Sequence, residues 1–182
     1  MDFSALYRAP TKLHSITRVG CHIIKIMPES STLLHRACYW KQTEMAQFLL
    51  QQGSDANAAT RDSFLYIRPL GCAVATAHIP NPSDSEDVVL ELVRLLLAHG
   101  AEINGRRRDG LTALHGGAYR GHVRVIKLLL ENGADPSIRG NEDGGPHAGQ
   151  TAMDVAASQA RQEACEELAR FVKHRSEVTP KR

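Results

Sequence analysis

The chain has 182 residues, 42% of them apolar and 5% aromatic, and a formal net charge of +2. That is material for one ordinary domain, or a short array of repeats, with a sizeable core, and it excludes disorder for most of the length. A charge so close to balance calls for neither nucleic acid nor an anionic membrane as partner, and so few rings cannot build a stacking platform for single strands.

Residues 1–29 contain Thr11-Lys12-Leu13-His14, which imitates a sequence that returns later. Thr11 lies only 21 residues before Thr32, too few for two helices and a hairpin, so this stretch reads as a degenerate half-repeat that caps the first complete unit, closed by Pro28, with disorder of the first ten residues as the alternative. No apolar run of about 18 residues occurs anywhere, and neither a secretory signal nor a membrane span is expected. Cys21, Cys38, Cys72 and Cys165 are far apart with no CxxC pair, the pattern of reduced thiols in a cytoplasmic or nuclear protein rather than of a zinc site.

From Thr32 the chain repeats itself. "TLLHRACYWKQTEMAQFLLQQGSDAN", Thr32 to Asn57, returns without a gap as "TALHGGAYRGHVRVIKLLLENGADPS", Thr112 to Ser137. Between them a copy opens at Arg68 as "RPLGCAVATAH" and resumes as "LELVRLLLAHGAEIN", and a last copy opens at Thr151 as "TAMDVAASQARQEACEELARF". The starts at Thr32, Arg68, Thr112 and Thr151 are 36, 44 and 39 residues apart, against a unit of about 33. The excess falls in "TRDSFLYI", "HIPNPSDSEDV" and "GNEDGGPHAG", segments with the composition of surface loops.

Within a unit, Thr32, Thr112 and Thr151 stand where a helix should start, because a hydroxyl there accepts a backbone N–H left over in the first turn. The second copy has Arg68-Pro69 instead, and a proline suits the first turn. The first helix then carries small residues, among them Ala37, Cys38, Gly117, Ala118, Ala156 and Ala157, which let neighbouring helices approach. The second helix carries Val125, Ile126, Leu128, Leu129 and Leu130 at helical period. Gly53, Gly100 and Gly133 come after the second helix, where a left-handed residue ends it.

These residues, above all Thr112-Ala113-Leu114-His115, Gly121-His122 and Gly133-Ala134-Asp135, closely resemble the ankyrin repeat family. The resemblance covers residues 30–171 and implies an all-α fold, an α-solenoid of about four repeats starting near 30, 66, 110 and 149. Each would be a helix-turn-helix unit with a short β-hairpin loop, preceded by the half-repeat at 1–29 and succeeded by a polar, flexible tail at 172–182. It also implies that His35 and His115, in one slot of two copies, join the neighbouring Thr and hairpin in a hydrogen-bond network.

Chemistry finds little purchase. His115 and His122 are seven apart, unlike the i, i+4 pair of a helical metal site. "GGPHAGQT", Gly144 to Thr151, has the glycine spacing of a phosphate loop, but Gln150 stands where its lysine should. No GxSxG, HExxH or GxGxxG occurs. No catalytic residue, cofactor or metal is therefore expected, and the chain reads as a non-enzymatic module that binds a partner protein through its concave inner-helix and hairpin surface as scaffold, adaptor or inhibitor. The competing readings are a nucleotide- or metal-dependent enzyme using the 141–151 loop and a substrate adaptor of a ubiquitin ligase.

In a solenoid the buried positions recur and the recognition positions vary. Aligning the copies assigns partner binding to Arg36, Tyr39, Trp40, Ile67, Thr76, Leu111, Tyr119, Arg120 and Gln159, with Ser31, Cys72, Gln150 and Val155 in the same registers. Trp, Tyr and Arg are the types enriched in interface hot spots. Arg106-Arg107-Arg108, on the hairpin entering the third unit, reads either as solvated loop charge or as a dock for an acidic segment of a partner. Leu49-x5-Asp55-Ala56-Asn57 and Leu96-x5-Glu102-Ile103-Asn104 resemble the sequence oxidised by an asparaginyl hydroxylase, which makes Asn57 and Asn104 candidate modification sites. By itself the chain is expected to be a monomer.

Overall fold

Three of the inner helices open on a reciprocal cap. In the computed structural model, which describes residues 32–60, 67–74, 85–142 and 145–178, Thr32 caps the helix Leu33–Tyr39 (α1), Thr112 caps Ala113–Arg120 (α5) and Thr151 caps Ala152–Ser158 (α7), each with the third helical residue bonding back. The second unit opens instead with Pro69, the first residue of Pro69–Val74 (α3), where the missing N–H costs nothing. Each inner helix is paired with an outer one: Thr43–Gln51 (α2), Glu86–Ala98 (α4), Val123–Glu131 (α6) and Gln162–Val178 (α8).

The eight helices form two rows among the described residues. Each inner helix packs on the next inner helix, each outer helix on the next outer one, and the two helices of a unit pack on each other. The chain thus folds into the expected serial stack of four units. Its core is continuous from Leu34 to Leu168 and passes through Val89, Leu92, Val93 and Leu96 of α4 and Val125, Ile126 and Leu129 of α6, all buried. Each fully buried branched side chain contributes roughly 1.5–3 kcal/mol. The inner helices need small residues on both sides: a Cβ on Gly116 would lie 3.1 Å from Val74 Cγ1 of the preceding inner helix, and one on Gly117 3.3 Å from Ile126 Cγ1 of the outer helix of its own unit.

Outer helices are also joined across units by polar groups. The backbone N–H groups of Arg124 and Val125, in the first turn of α6, donate to Glu86 Oε1 at 2.6 and 3.3 Å, and the Arg124 guanidinium meets Asp87 Oδ1 at 2.5 Å. The N-cap residue of α6, His122, makes no side-chain cap bond. A carboxylate from the preceding unit thus supplies the anionic cap that the helix lacks in its own sequence.

The projecting loops are short hairpins closed by the backbone bonds Thr60 N–H to Ile67 O, Arg107 N–H to Leu111 O and Gly140 N–H to Gln150 O, and among the described residues their β pairing is limited to an isolated antiparallel bridge between Arg139 and Thr151. Asp55, Asp109 and Asp135 each accept the backbone N–H two residues on and tighten the turns. One expectation changes. The polar tail expected from residue 172 begins as helix, because α8 runs to Val178. No Gly or Pro interrupts it before Pro180, and Lys173, His174 and Arg175 suit the negative end of a helix dipole. The half-repeat at 1–29, Cys21, Ser31 and Thr76 lie outside the described residues.

Candidate partner-binding surface

The residues most suggestive of chemistry are spent on the scaffold. His35 Nδ1 accepts from the Thr32 backbone N–H (3.3 Å) and lies 2.8 Å from Thr32 Oγ1, while its Nε2 lies 3.0 Å from the carbonyl of Ile67 in the next unit. His115 repeats this with Thr112 (3.2 and 2.9 Å) and the carbonyl of Gln150 (3.2 Å). A backbone N–H can only donate, so Nδ1 is the acceptor and the ring proton sits on Nε2, donating to the neighbouring carbonyl. Both rings are buried, and that burial lowers their pKa below the usual histidine value, keeping them neutral. In the last unit Asp154 takes the same slot: Thr151 donates both its N–H (2.9 Å) and its hydroxyl (2.7 Å) to Asp154 Oδ2. Those bonds hold the carboxyl below its ordinary range.

The loop with phosphate-loop spacing is likewise committed. It forms a short 3₁₀ turn at Gly145–His147. His147 Nδ1 meets Gln150 Oε1 at 2.9 Å, and the Gln150 carbonyl accepts from both Gly140 N–H and His115. Its geometry delivers a carbonyl to a buried histidine. Among the described residues, no group of three or more His, Cys, Asp or Glu side chains is arranged to hold a metal, and no helix is long and apolar enough to cross a membrane.

The predicted recognition residues divide into two sets. Tyr39 and Trp40 end α1 with their rings edge to face at 5.3 Å and 87°, both half-buried, beside half-buried Arg36. In the equivalent places of α5, Tyr119 is 42% exposed and stands edge-on to His147 at 5.7 Å, with half-buried Arg120 next in the chain. Gln159 is half-buried at the end of α7, its amide against Ser158. These are surface positions on inner helices.

The other set belongs to the interior. Leu111 is only 9% exposed, and Cys72 and Val155 are buried. Ile67 packs on the core and gives its carbonyl to His35. Aligned registers alone could not separate these from recognition positions, because the residue before a helix start can face a seam between units, as Ile67 does toward His35 and Leu111 toward Gly140. Leu111 and Ile67 therefore offer a partner little surface.

The arginine triplet is divided as well. Arg107 is held by Asp109, Nη2 to Oδ2 2.6 Å. Arg106 Nη2 donates to the Arg139 carbonyl and to Asn141 Oδ1, both at 3.0 Å. Arg108 is exposed, and its carbonyl accepts from Asn141 Nδ2. Arg68 and Arg139, which aligned registers do not single out, extend this cluster along the hairpin edge; Arg68 pairs with Glu102 at 3.1 Å.

Asn57 and Asn104 tie successive hairpins together. Asn57 Nδ2 donates to Gly100 O (2.8 Å) and its Oδ1 accepts from Glu102 N–H (2.6 Å). Asn104 does the same one unit on, to Gly133 O (3.2 Å) and from Asp135 N–H (2.9 Å). Ser137 instead donates its hydroxyl to Asp135 within its own turn.

Known proteins share this pattern. The family model "Ankyrin repeats (3 copies)" matches residues 85–181, and "Ankyrin repeat" matches residues 30–61. Among curated proteins, the mouse serine/threonine-protein kinase TNNI3K is 32% identical over 127 residues, 69% of this chain and 14% of its own length. Alpha-latrocrustotoxin-Lt1a of Latrodectus tredecimguttatus is 28% identical over 63% of this chain and 7% of its own length. The Arabidopsis thaliana E3 ubiquitin-protein ligase KEG is 28% identical over 71% of this chain and 10% of its own length. The chain therefore spans a small part of each relative, and proteins with such different names have the repeated segment in common.

Proposed function

The chain belongs to the ankyrin repeat family, whose repeats are in general a protein-interaction module, and from that premise we propose that it binds a partner protein along its inner helices and hairpin edge without chemistry of its own. The observation that carries this reading is the pairing of like positions in two units: Tyr39 and Trp40 at the end of α1, Tyr119 and Arg120 at the end of α5, all at the surface on the inner row. Aromatic rings fixed at the rim of a rigid stack lose little freedom on binding, and truncating one such anchor costs about 2 kcal/mol or more. The capping roles of His35 and His115 support the absence of catalysis here, since neither ring has a nitrogen left for a substrate. Buried free thiols at Cys38 and Cys72 support a cytoplasmic or nuclear setting.

Affinity capture compares the wild-type chain with Trp40→Ala and with the double variant Tyr119→Ala/Arg120→Ala. A protein retained by the wild type and lost from both variants is the expected result. Identical retained proteins from all three would remove the surface, and binding of a nucleotide with Kd below about 10 μM would bring the enzymatic reading back.

A further inference from the structure

A line of guanidinium groups runs along the hairpin edge, each fixed by a neutral acceptor. Arg68 Nη1 donates to the carbonyl of Arg106 (3.2 Å), Arg106 Nη2 to the carbonyl of Arg139 (3.0 Å), and Arg139 Nη1 to that of Gly149 (2.8 Å). A carbonyl orients a guanidinium without cancelling its charge, and an arginine has five N–H donors, so Arg106, held by two neutral acceptors, keeps donors for a ligand.

Carboxylates interleave with this line. Glu102 sits 3.1 Å from Arg68, Asp109 2.6 Å from Arg107, and Asp154 3.7 Å from Arg139. Among the described residues, Arg106 and Arg108 have no carboxylate within ion-pair distance. The Glu102 backbone is pinned by Asn57, yet its side chain is 56% exposed and lies at a crevice shared with Arg68, Gly105, Arg106 and Arg107. An exposed ion pair of this kind is weak and yields readily to a better-placed acid.

We propose that this arginine edge docks an extended acidic segment of the partner protein, and that Glu102 occupies one of the carboxylate positions until that segment displaces it. This rests on the reading of the chain as a protein-binding module and names the chemistry of the partner. A protein segment fits better than a nucleic acid. It can set its acids opposite Arg106 and Arg108 and neutral residues opposite Asp109 and Asp154, whereas an unbroken phosphate backbone would be repelled by those carboxylates.

The test is a fluorescence anisotropy titration of the full chain with a labelled peptide of alternating glutamate and serine, repeated with a single-stranded oligothymidylate of equal charge. Glu102→Gln should bind the peptide roughly threefold more tightly, and Arg106→Glu about tenfold more weakly. Thermal melts should show both variants folded. Lys127→Gln, which removes a positive charge from the exposed face of the outer helix α6, should bind the peptide as the wild type does. Unchanged binding by Glu102→Gln and Arg106→Glu, or tighter binding of the oligothymidylate, would overturn the proposal while leaving the Trp40-dependent surface standing.

Discussion

Lys41 of the first unit donates its ammonium to the backbone carbonyl of Cys72 in the second, at 3.3 Å. The lysine is only 5% exposed and holds φ at +57°, in the place where the third unit has Gly121. A cation here meets a carbonyl near the end of α3, the negative end of the helix. The side chain thus compensates for a backbone conformation that an L-residue adopts at a cost of about 1 kcal/mol.

Lys41→Met keeps most of the buried stem and removes the donor. Hydrogen bonds to charged groups contribute about 1.5–3 kcal/mol, and relief from burying the ammonium offsets part of that. A net loss of about 1 kcal/mol is expected, read as a lower urea midpoint at unchanged slope.

The same turn offers a reciprocal pair. Gly121 has φ +74°, and a Cβ there would lie 2.9 Å from Arg161 Cδ, so Gly121→Ala should destabilise by about 1–2 kcal/mol. Ala160 sits in the same slot of the last unit at φ +54°. Ala160→Gly relieves its strain, partly offset by the greater freedom of the unfolded chain, and should stabilise by about 0.5 kcal/mol. Chemical denaturation of the two variants reads both signs.

Asn57→Ala removes two bonds between hairpins, to Gly100 and from Glu102. Both are exposed, so a loss of about 1–2 kcal/mol is expected rather than their full sum. Hydrogen exchange should rise first at the Glu102 amide, whose acceptor is gone. A uniform rise over the whole stack would show that Asn57 acts on global stability alone.

The engagement of both asparagine amides also bears on oxidation. An asparaginyl hydroxylase must open the turn to reach Asn57 or Asn104, so a synthetic peptide covering residues 49–57 should gain one oxygen in intact-mass measurements well before the folded chain does. Equal rates for the two would show that the hairpin bonds do not protect the site.

Stability should fall in two pH windows. Burial lowers the pKa of His35 and His115 in the folded state, so the unfolded chain binds protons more readily as pH drops. Their contribution is complete above the unfolded value of about 6.5 and is lost progressively as pH falls below it. Hydrogen bonds from Ser137 lower Asp135, and those from Thr151 lower Asp154, so their contribution is lost only as pH falls below about 4. Melting temperatures from pH 7.5 downward should show a first decline starting near 6.5, absent from His35→Asn/His115→Asn.

Much of the fold was legible in the chain because its signals are local. A Thr before a helix, small residues inside it and a Gly after the next helix act within a few residues of one another, and their return at Thr32, Thr112 and Thr151 specifies the stack. The surface was harder to read. Tyr119 is exposed and Tyr39, Trp40 and Arg120 are half-buried on the inner row, while Leu111 is buried and Ile67 packs on the core.

Sequence alone determined the unit and how many times it recurs, since backbone caps and helical periods are settled by neighbours along the chain. Tertiary structure decided which cations remain available and which polar groups are spent. The Lys41 bond to Cys72, the Glu86 cap on α6 and the arginine line from Arg68 to Arg139 all join residues about 30 or more apart. Whether a charge is cancelled, buried or offered to a partner depends on what the next unit places beside it, and only stacking brings those groups together.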